Sequence, residues 1–248
     1  MYHSYADKTF SKEQISQMKS HDSDSKTYSN FISIDELNYL RNEIKKISYP
    51  EHGETSKYFG ASFNDDFAKD LKQIFEKKLH ELIGDYQLDF FAWQEAINPW
   101  KLHVDMRWYP DKLPYKVVLI PIDVESDLDA WKDTYTIAFK QRDYGEGSKN
   151  TGERKKGNSD QSDWQRPFDK PGTRNLSSGY SITKAQHQKY FSHMPYNWLE
   201  GLDIDNIYRW TPCSAVVWDQ NQLHCADNFL DKGIKTKRSL IFFTNQKS

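Results

Sequence analysis

KVVLIPIDV (116–124), SAVVWD (214–219) and RSLIFFT (238–244) are the runs that decide the fold. Each is short, apolar and rich in β-branched or aromatic residues, the composition of strands buried in a sheet. His103-Val104-Asp105 precedes the first run, His224 follows the second, and Arg238 opens the third. Side chains alternate faces along a strand, so His103 and Asp105 would project to one side, about 7 Å apart at roughly 3.3 Å per residue. A second imidazole, His224, brought back by the fold would complete one face of an octahedral metal ion and leave its other positions open. An account without metal must place three polar side chains inside a β-barrel and find each a partner.

Working outward, strands are expected near 86–97, 102–109 and 115–124. Two helices precede them. Ser33-Ile34-Asp35-Glu36 reads as a capping box, with Ile32 and Leu37 placed as a hydrophobic staple. Leu37, Leu40, Ile44 and Ile47 then form a helical stripe that Pro50 stops. A second amphipathic helix is expected over about 64–83, burying Phe67, Leu71, Ile74, Phe75, Leu79 and Leu82, with Gly84 as its terminator. Helices ahead of a run of strands suit a mainly β domain, a jelly roll whose outer sheet is backed by helices.

The expected organisation is a polar N-terminal arm over 1–29, loosely attached, and one β domain over 30–248 with helical support in 30–85. A Gly/Ser/Lys/Asp-rich insertion over about 141–179 is expected to be mobile, either a lid between the two halves of the metal site or a tolerated surface loop. A further helix is expected near 181–192, and the stretch from Trp198 to Trp210 should pack beside the barrel.

Composition bounds the function. Hydrophobic content is 37 %, but eight Trp, fifteen Tyr and fourteen Phe supply core volume. A formal net charge of −2 argues against a general nucleic-acid or membrane-surface binder, which needs a basic face. The two cysteines, Cys213 and Cys225, are too few for a disulfide framework and suggest a reducing compartment. With neither an apolar leader nor a run of eighteen apolar residues, the expected location is cytoplasmic.

H-x-D, a long interval, His and then a nearby Arg is a pattern that resembles the Fe(II)/2-oxoglutarate-dependent dioxygenase superfamily. Here it is carried by His103, Asp105, His224 and Arg238, and the resemblance covers roughly Phe90 to Thr244. It implies a double-stranded β-helix (jelly roll, cupin-like), with His103, Asp105 and His224 holding Fe(II). It also implies 2-oxoglutarate and O2 as co-substrates, and Arg238 as the anchor for the distal carboxylate of 2-oxoglutarate, which a guanidinium can hold through two charge-assisted hydrogen bonds. Lys237 would then face the opposite side of the strand. Ser239 falls out of register with the R-x-S arrangement of some family members, since Leu240 occupies the position two residues on.

Members of the family that halogenate carry Ala or Gly at the position of Asp105; its presence implies hydroxylation of an unactivated C–H with release of succinate and CO2. The layout looks like small-molecule hydroxylases related to phytanoyl-CoA and ectoine hydroxylases, or like prolyl hydroxylases. A small molecule or an amino-acid or peptide side chain is the expected substrate. Arg107, Tyr109, Trp93 and Gln94 are candidates to line its pocket, with core filling the alternative for Trp93 and a surface ion pair for Arg107. Trp218 and Asp219 are expected to shape the approach to His224, and Cys225 to be a small packed residue. The basic cluster Arg154-Lys155-Lys156 is open between an anion-greeting patch and a solvated loop. The competing readings are a cupin-like metalloenzyme independent of 2-oxoglutarate and a non-catalytic metal- or 2-oxoglutarate-binding protein.

Overall fold

A computed structural model describes residues 10–49, 55–105, 111–126, 133–144, 173–174 and 176–247. In chain order its elements are α1 (Lys12–Ser20), β1 (Lys26–Tyr28), α2 (Ile34–Ile44), β2 (Ser56–Ala61), α3 (Lys69–Ile83), β3 (Tyr86–Ala96), β4 (Pro114–Ser126), β5 (Tyr135–Asp143), β6 (Thr173–Arg174), α4 (Lys184–Tyr190), β7 (Ile204–Arg209), β8 (Ala215–Asp219), β9 (Gln222–Ala226) and β10 (Ile234–Gln246). Six strands form one antiparallel sheet in the order β1-β8-β4-β10-β3-β2; β6, β5, β7 and β9 form the second. The two sheets face each other as a jelly roll, mainly β with flanking helices.

Three layers of side chains hold this together. On the outer face of the large sheet, Phe91, Trp93, Val118, Ile120, Leu240 and Phe242 meet Leu37, Leu40, Leu71, Phe75 and Leu79 from α2 and α3. The Phe75 and Phe242 rings lie 5.0 Å apart, and truncating either to Ala would cost roughly 3–5 kcal/mol. Between the sheets sit Ala92, Val117, Leu119, Ala138, Trp210, Trp218 and Ile241. Behind the small sheet, Ile137, Phe139, Leu223 and Cys225 pack on Phe191, Met194, Trp198 and Leu199. β10 is therefore buried on both faces, which explains why RSLIFFT shows no alternation of apolar and polar residues.

The capping box at Ser33 is present: its hydroxyl accepts from the Glu36 amide at 3.1 Å, and the Glu36 carboxylate accepts from the Ser33 amide at 2.7 Å. Gly84 ends α3 with φ 77°, its amide donating to the His80 carbonyl. Phe67 departs from expectation. It lies in a 3-10 turn ahead of α3 and is 55 % exposed, its ring 5.7 Å from that of Phe59, because the α-helical phase begins at Lys69.

The N-terminal arm is likewise more ordered than its polarity suggests from Phe10 onward. Ser11 caps α1, whose Ile15 and Met18 pack with Phe10 on Leu113 and Tyr144, and β1 pairs with β8. A few well-placed apolar residues dock a segment whose average composition is hydrophilic. The expected insertion starts too early at 141: Gln141 and Asp143 are buried within β5. Most of that insertion, including Arg154-Lys155-Lys156, lies outside the described residues, as does Pro50.

Candidate metal centre

β9 turns His224 toward the inter-sheet space, because Leu223 and Cys225 on either side pack into the layer behind the small sheet. His103 and His224 then clip their segments together, each amide donating to the other's carbonyl at 3.0 Å. The Asp105 amide donates to the Gln220 carbonyl at 3.0 Å. His103 is thus held by a single bridge rather than in the strand expected over 102–109. One potential ligand atom from each of His103, Asp105 and His224 lies within 4.8 Å of the others. His224 Nε2 is 3.2 Å from Asp105 Oδ2, and His103 Nε2 is 3.8 Å from Asp105 Oδ1.

Backbone carbonyls fix the tautomers. His103 Nδ1 lies 2.6 Å from the Lys101 carbonyl and His224 Nδ1 lies 2.9 Å from the Gln222 carbonyl. A carbonyl only accepts, so each Nδ1 carries a hydrogen and donates, leaving each Nε2 to face Asp105. This orientation is the one Nε2 ligation of a metal requires.

Trp218 supports the carboxylate by donating from Nε1 to Asp105 Oδ2 at 3.1 Å, with its ring 4.8 Å from that of His224. Trp100 lies 5.2 Å from the His103 ring. Burial pushes the His103 imidazolium down to about 4, assisted by His224. Burial alone would raise Asp105, but His224, His103 and the Trp218 hydrogen bond hold it below the usual carboxylate range. Burial also disfavours the His224 cation, yet Asp105 outweighs it and raises the imidazole. A carboxylate and a neutral His103 imidazole are the forms that bind metal.

The other candidates separate by strand parity. Trp93 faces the helices and fills core, whereas Gln94 faces the inter-sheet side, paired in register with Ser239. Asp219, adjacent to Trp218, turns away from His224 into ion pairs with Lys116 and Arg142. Cys225 is a packed core residue whose thiol burial pushes well above its ordinary value. Arg107 and Tyr109 lie outside the described residues.

Arg238 is the main departure. Its parity matches Leu240 and Phe242, which face the helices, and its guanidinium is held by three carboxylates. Nε donates to Glu95 at 2.6 Å, Nη1 to Asp123 at 3.1 Å and Nη2 to Glu125 at 2.8 Å. The inward cation is Lys237, 2 % exposed, whose amine donates to the Tyr135 carbonyl at 3.0 Å, lies 3.6 Å from Asp227 and sits 4.0 Å over the Trp210 ring. Ser239 shares that inner face with Ile241; among the described residues nothing hydrogen-bonds its buried hydroxyl. The arrangement is therefore K-x-S one position earlier than the R-x-S pattern sought. Three acidic residues on the neighbouring strands, Glu95, Asp123 and Glu125, were the signal that would have claimed the arginine.

Lys237 and His224 lie along the same inner surface. Ala138 pairs with His224, and Tyr135, whose carbonyl receives the Lys237 amine, lies three residues earlier on β5, roughly 10 Å at ordinary strand rise. An acidic-and-imidazole cluster, and a buried amine beside a hydroxyl that has no hydrogen-bond partner among the described residues, thus occupy two positions along one inner sheet face. Such a pair of positions can receive a metal at one end and a carboxylate at the other.

No protein-family model matches the sequence, and no curated protein matches it. Solved structures do match. The non-heme alpha-ketoglutarate-dependent epimerase SnoN from nogalamycin biosynthesis is 8 % identical, with a TM-score of 0.54 over 94 % of this chain and 82 % of that one. SnoN in complex with Fe3+, alpha ketoglutarate and nogalamycin RO is 10 % identical, with a TM-score of 0.53 over 94 % of this chain and 83 % of that one. A prolyl-4-hydroxylase from Pseudomonas putida is 9 % identical, with a TM-score of 0.45 over 95 % of this chain and 98 % of that one. The chain has the fold of the alpha-ketoglutarate-dependent epimerase SnoN.

Proposed function

We propose that the protein is an Fe(II)- and 2-oxoglutarate-dependent dioxygenase, an oxidoreductase that hydroxylates an unactivated C–H of a small molecule or an amino-acid side chain. The observation that carries this reading is the convergence of two Nε2 atoms and one carboxylate, with both Nδ1 atoms tied to carbonyls. Mixed N/O donors with open positions suit Fe(II). Bound there with 2-oxoglutarate and O2, the iron would supply oxidative decarboxylation to succinate and CO2 and oxidation of the substrate.

The chain's own contribution is binding and orientation. His103, Asp105 and His224 hold the metal, and Trp218 fixes the carboxylate. Lys237, in place of Arg238, holds the distal carboxylate of 2-oxoglutarate, with the Ser239 hydroxyl as a second donor. The buried amine fits a carboxylate better than a neutral group because it is cationic, and the Ser239 hydroxyl beside it has no hydrogen-bond partner among the described residues. Retention of Asp105 favours hydroxylation over halogenation. A cytoplasmic location accords with the two free thiols, Cys213 and Cys225.

Anaerobic titration with Fe(II) and then 2-oxoglutarate tests this. The expected result is a visible metal-to-ligand charge-transfer band in wild type that is absent from His224→Ala. A metal-loaded protein with no band would overturn the reading.

A further inference from the structure

Lys237 is one of two amines gathered on a single buried carboxylate. Asp227, fully buried, accepts from the Lys232 amine at 2.7 Å on Oδ2, and from the Thr134 hydroxyl at 3.1 Å and the Tyr135 amide at 2.9 Å on Oδ1. The Lys237 amine lies 3.6 Å from the same Oδ1, an ion-pair distance beyond hydrogen-bond length. Among the described residues, two ammonium groups against one carboxylate leave one positive charge in excess. Lys232, whose side chain is 21 % exposed, is partly solvated, whereas Lys237 at 2 % is not, so the unmet charge resides on the inner amine. An excess charge inside a protein is costly until a counter-ion arrives.

We propose that Asp227 is the positioning residue of the Lys237 anchor, and that Lys232 neutralises Asp227 so that the inner amine remains available to an incoming carboxylate. This rests on the proposed function, which supplies the carboxylate. Asp227 also fixes β5 through Tyr135, the residue whose carbonyl receives the amine, so one carboxylate sets both the place and the charge of the anchor. Among the described residues, the charged and titratable groups around the amine are Asp227 and Lys232, together with the neutral, buried thiol of Cys225; Trp210 and Phe229 present ring faces. Burial pushes Lys237 down to about 8, with Asp227 working upward and Lys232 downward.

The test titrates Lys237 directly in protein carrying 13C at the lysine ε carbons, its resonance identified by loss in Lys237→Met. In parallel, the Fe(II)-loaded protein is titrated anaerobically with 2-oxoglutarate on either side of the amine's midpoint. Asp227→Asn should lower that midpoint and weaken 2-oxoglutarate binding about tenfold above it, but only about twofold a pH unit or more below the new midpoint. Lys232→Gln, at a partly exposed position that protects the test against misfolding, should raise the midpoint and weaken binding on both sides, because Asp227 then engages the inner amine alone. An unmoved Lys237 midpoint in Asp227→Asn, or a loss of affinity that ignores pH, would overturn the positioning role alone. Wild-type protein that binds metal but no 2-oxoglutarate would overturn the proposed function and the anchor with it.

Discussion

Two adjacent residues of β10 sit in opposite charge balances. On the helix side, the Arg238 guanidinium meets Glu95, Asp123 and Glu125, with Lys57 also bonded to Glu95 at 3.1 Å. Its surplus is negative and reaches solvent, the side chains of Asp123 and Glu125 being 33 % and 50 % exposed. On the inter-sheet side, Lys237 and Lys232 share Asp227, and among the described residues the surplus is positive and falls on the enclosed Lys237. The outer cluster is saturated and ties three strands together; the inner one has binding capacity to spare. Which face of the strand a cation occupies, more than whether it is Arg or Lys, decides whether it can take a ligand.

Truncating each cation in turn separates the two environments. Lys237→Met should weaken 2-oxoglutarate binding by roughly thirtyfold to a hundredfold, the loss of about 2–3 kcal/mol of charge-assisted hydrogen bonding. Arg238→Met should leave that affinity within about twofold and instead cost about 2 kcal/mol of stability, since it strands three carboxylates. Denaturant melts and anaerobic titrations of both variants decide the matter; reversed outcomes would restore the arginine as anchor.

Proton linkage gives a second contrast. Lys237 releases its proton near 8 in the folded protein, against 10.5 ordinarily. Between those values the unfolded chain binds more protons, so stability rises with pH across that window, and Lys237→Met should flatten the rise in pH-dependent melts. Glu95 behaves oppositely. Burial works against its charge, but Arg238 and Lys57 outweigh this and hold it below the usual range. Its stabilisation is present above the ordinary glutamate value and is lost as pH falls through the depressed folded one, a loss that Glu95→Gln should remove. Smallest of all, Ser239→Ala should weaken 2-oxoglutarate binding about fivefold by removing one donor, with thermal stability unchanged, because nothing among the described residues bonds that hydroxyl.

How much was legible in the sequence follows from what each signal depends on. The capping box at Ser33, the α3 stripe through Leu71, Phe75 and Leu79, and the strands around Val118, Val217 and Phe242 depend on local periodicity. They could be read directly. The three residues of the candidate metal centre, His103, Asp105 and His224, were legible as a pattern, and the structure adds the carbonyl partners that orient both imidazoles. The inward cation was not legible. Leu240, Ile241, Phe242 and Phe243 are all apolar, so the strand carries no mark of which parity faces the cleft, and a one-residue error exchanges Arg238 for Lys237. Asp227 was invisible for a related reason: its partners come from β5, the turn at Lys232 and β10, and no local spacing reports that meeting.

The position of β10 in the large sheet has a consequence for how the molecule is made. β3 and β4 are consecutive strands that do not pair with each other; β10, about 110 residues further along, slots between them with long ladders on both sides. Until it arrives, each presents an open edge of unpaired amides and carbonyls, and a chain emerging from its N-terminus must keep those edges apart and unaggregated. Non-local closure of this kind makes for slow folding. The same insertion event that completes the sheet also carries Lys237 to its buried place over Trp210, so a chain that has buried this amine has, by that fact, finished its largest sheet.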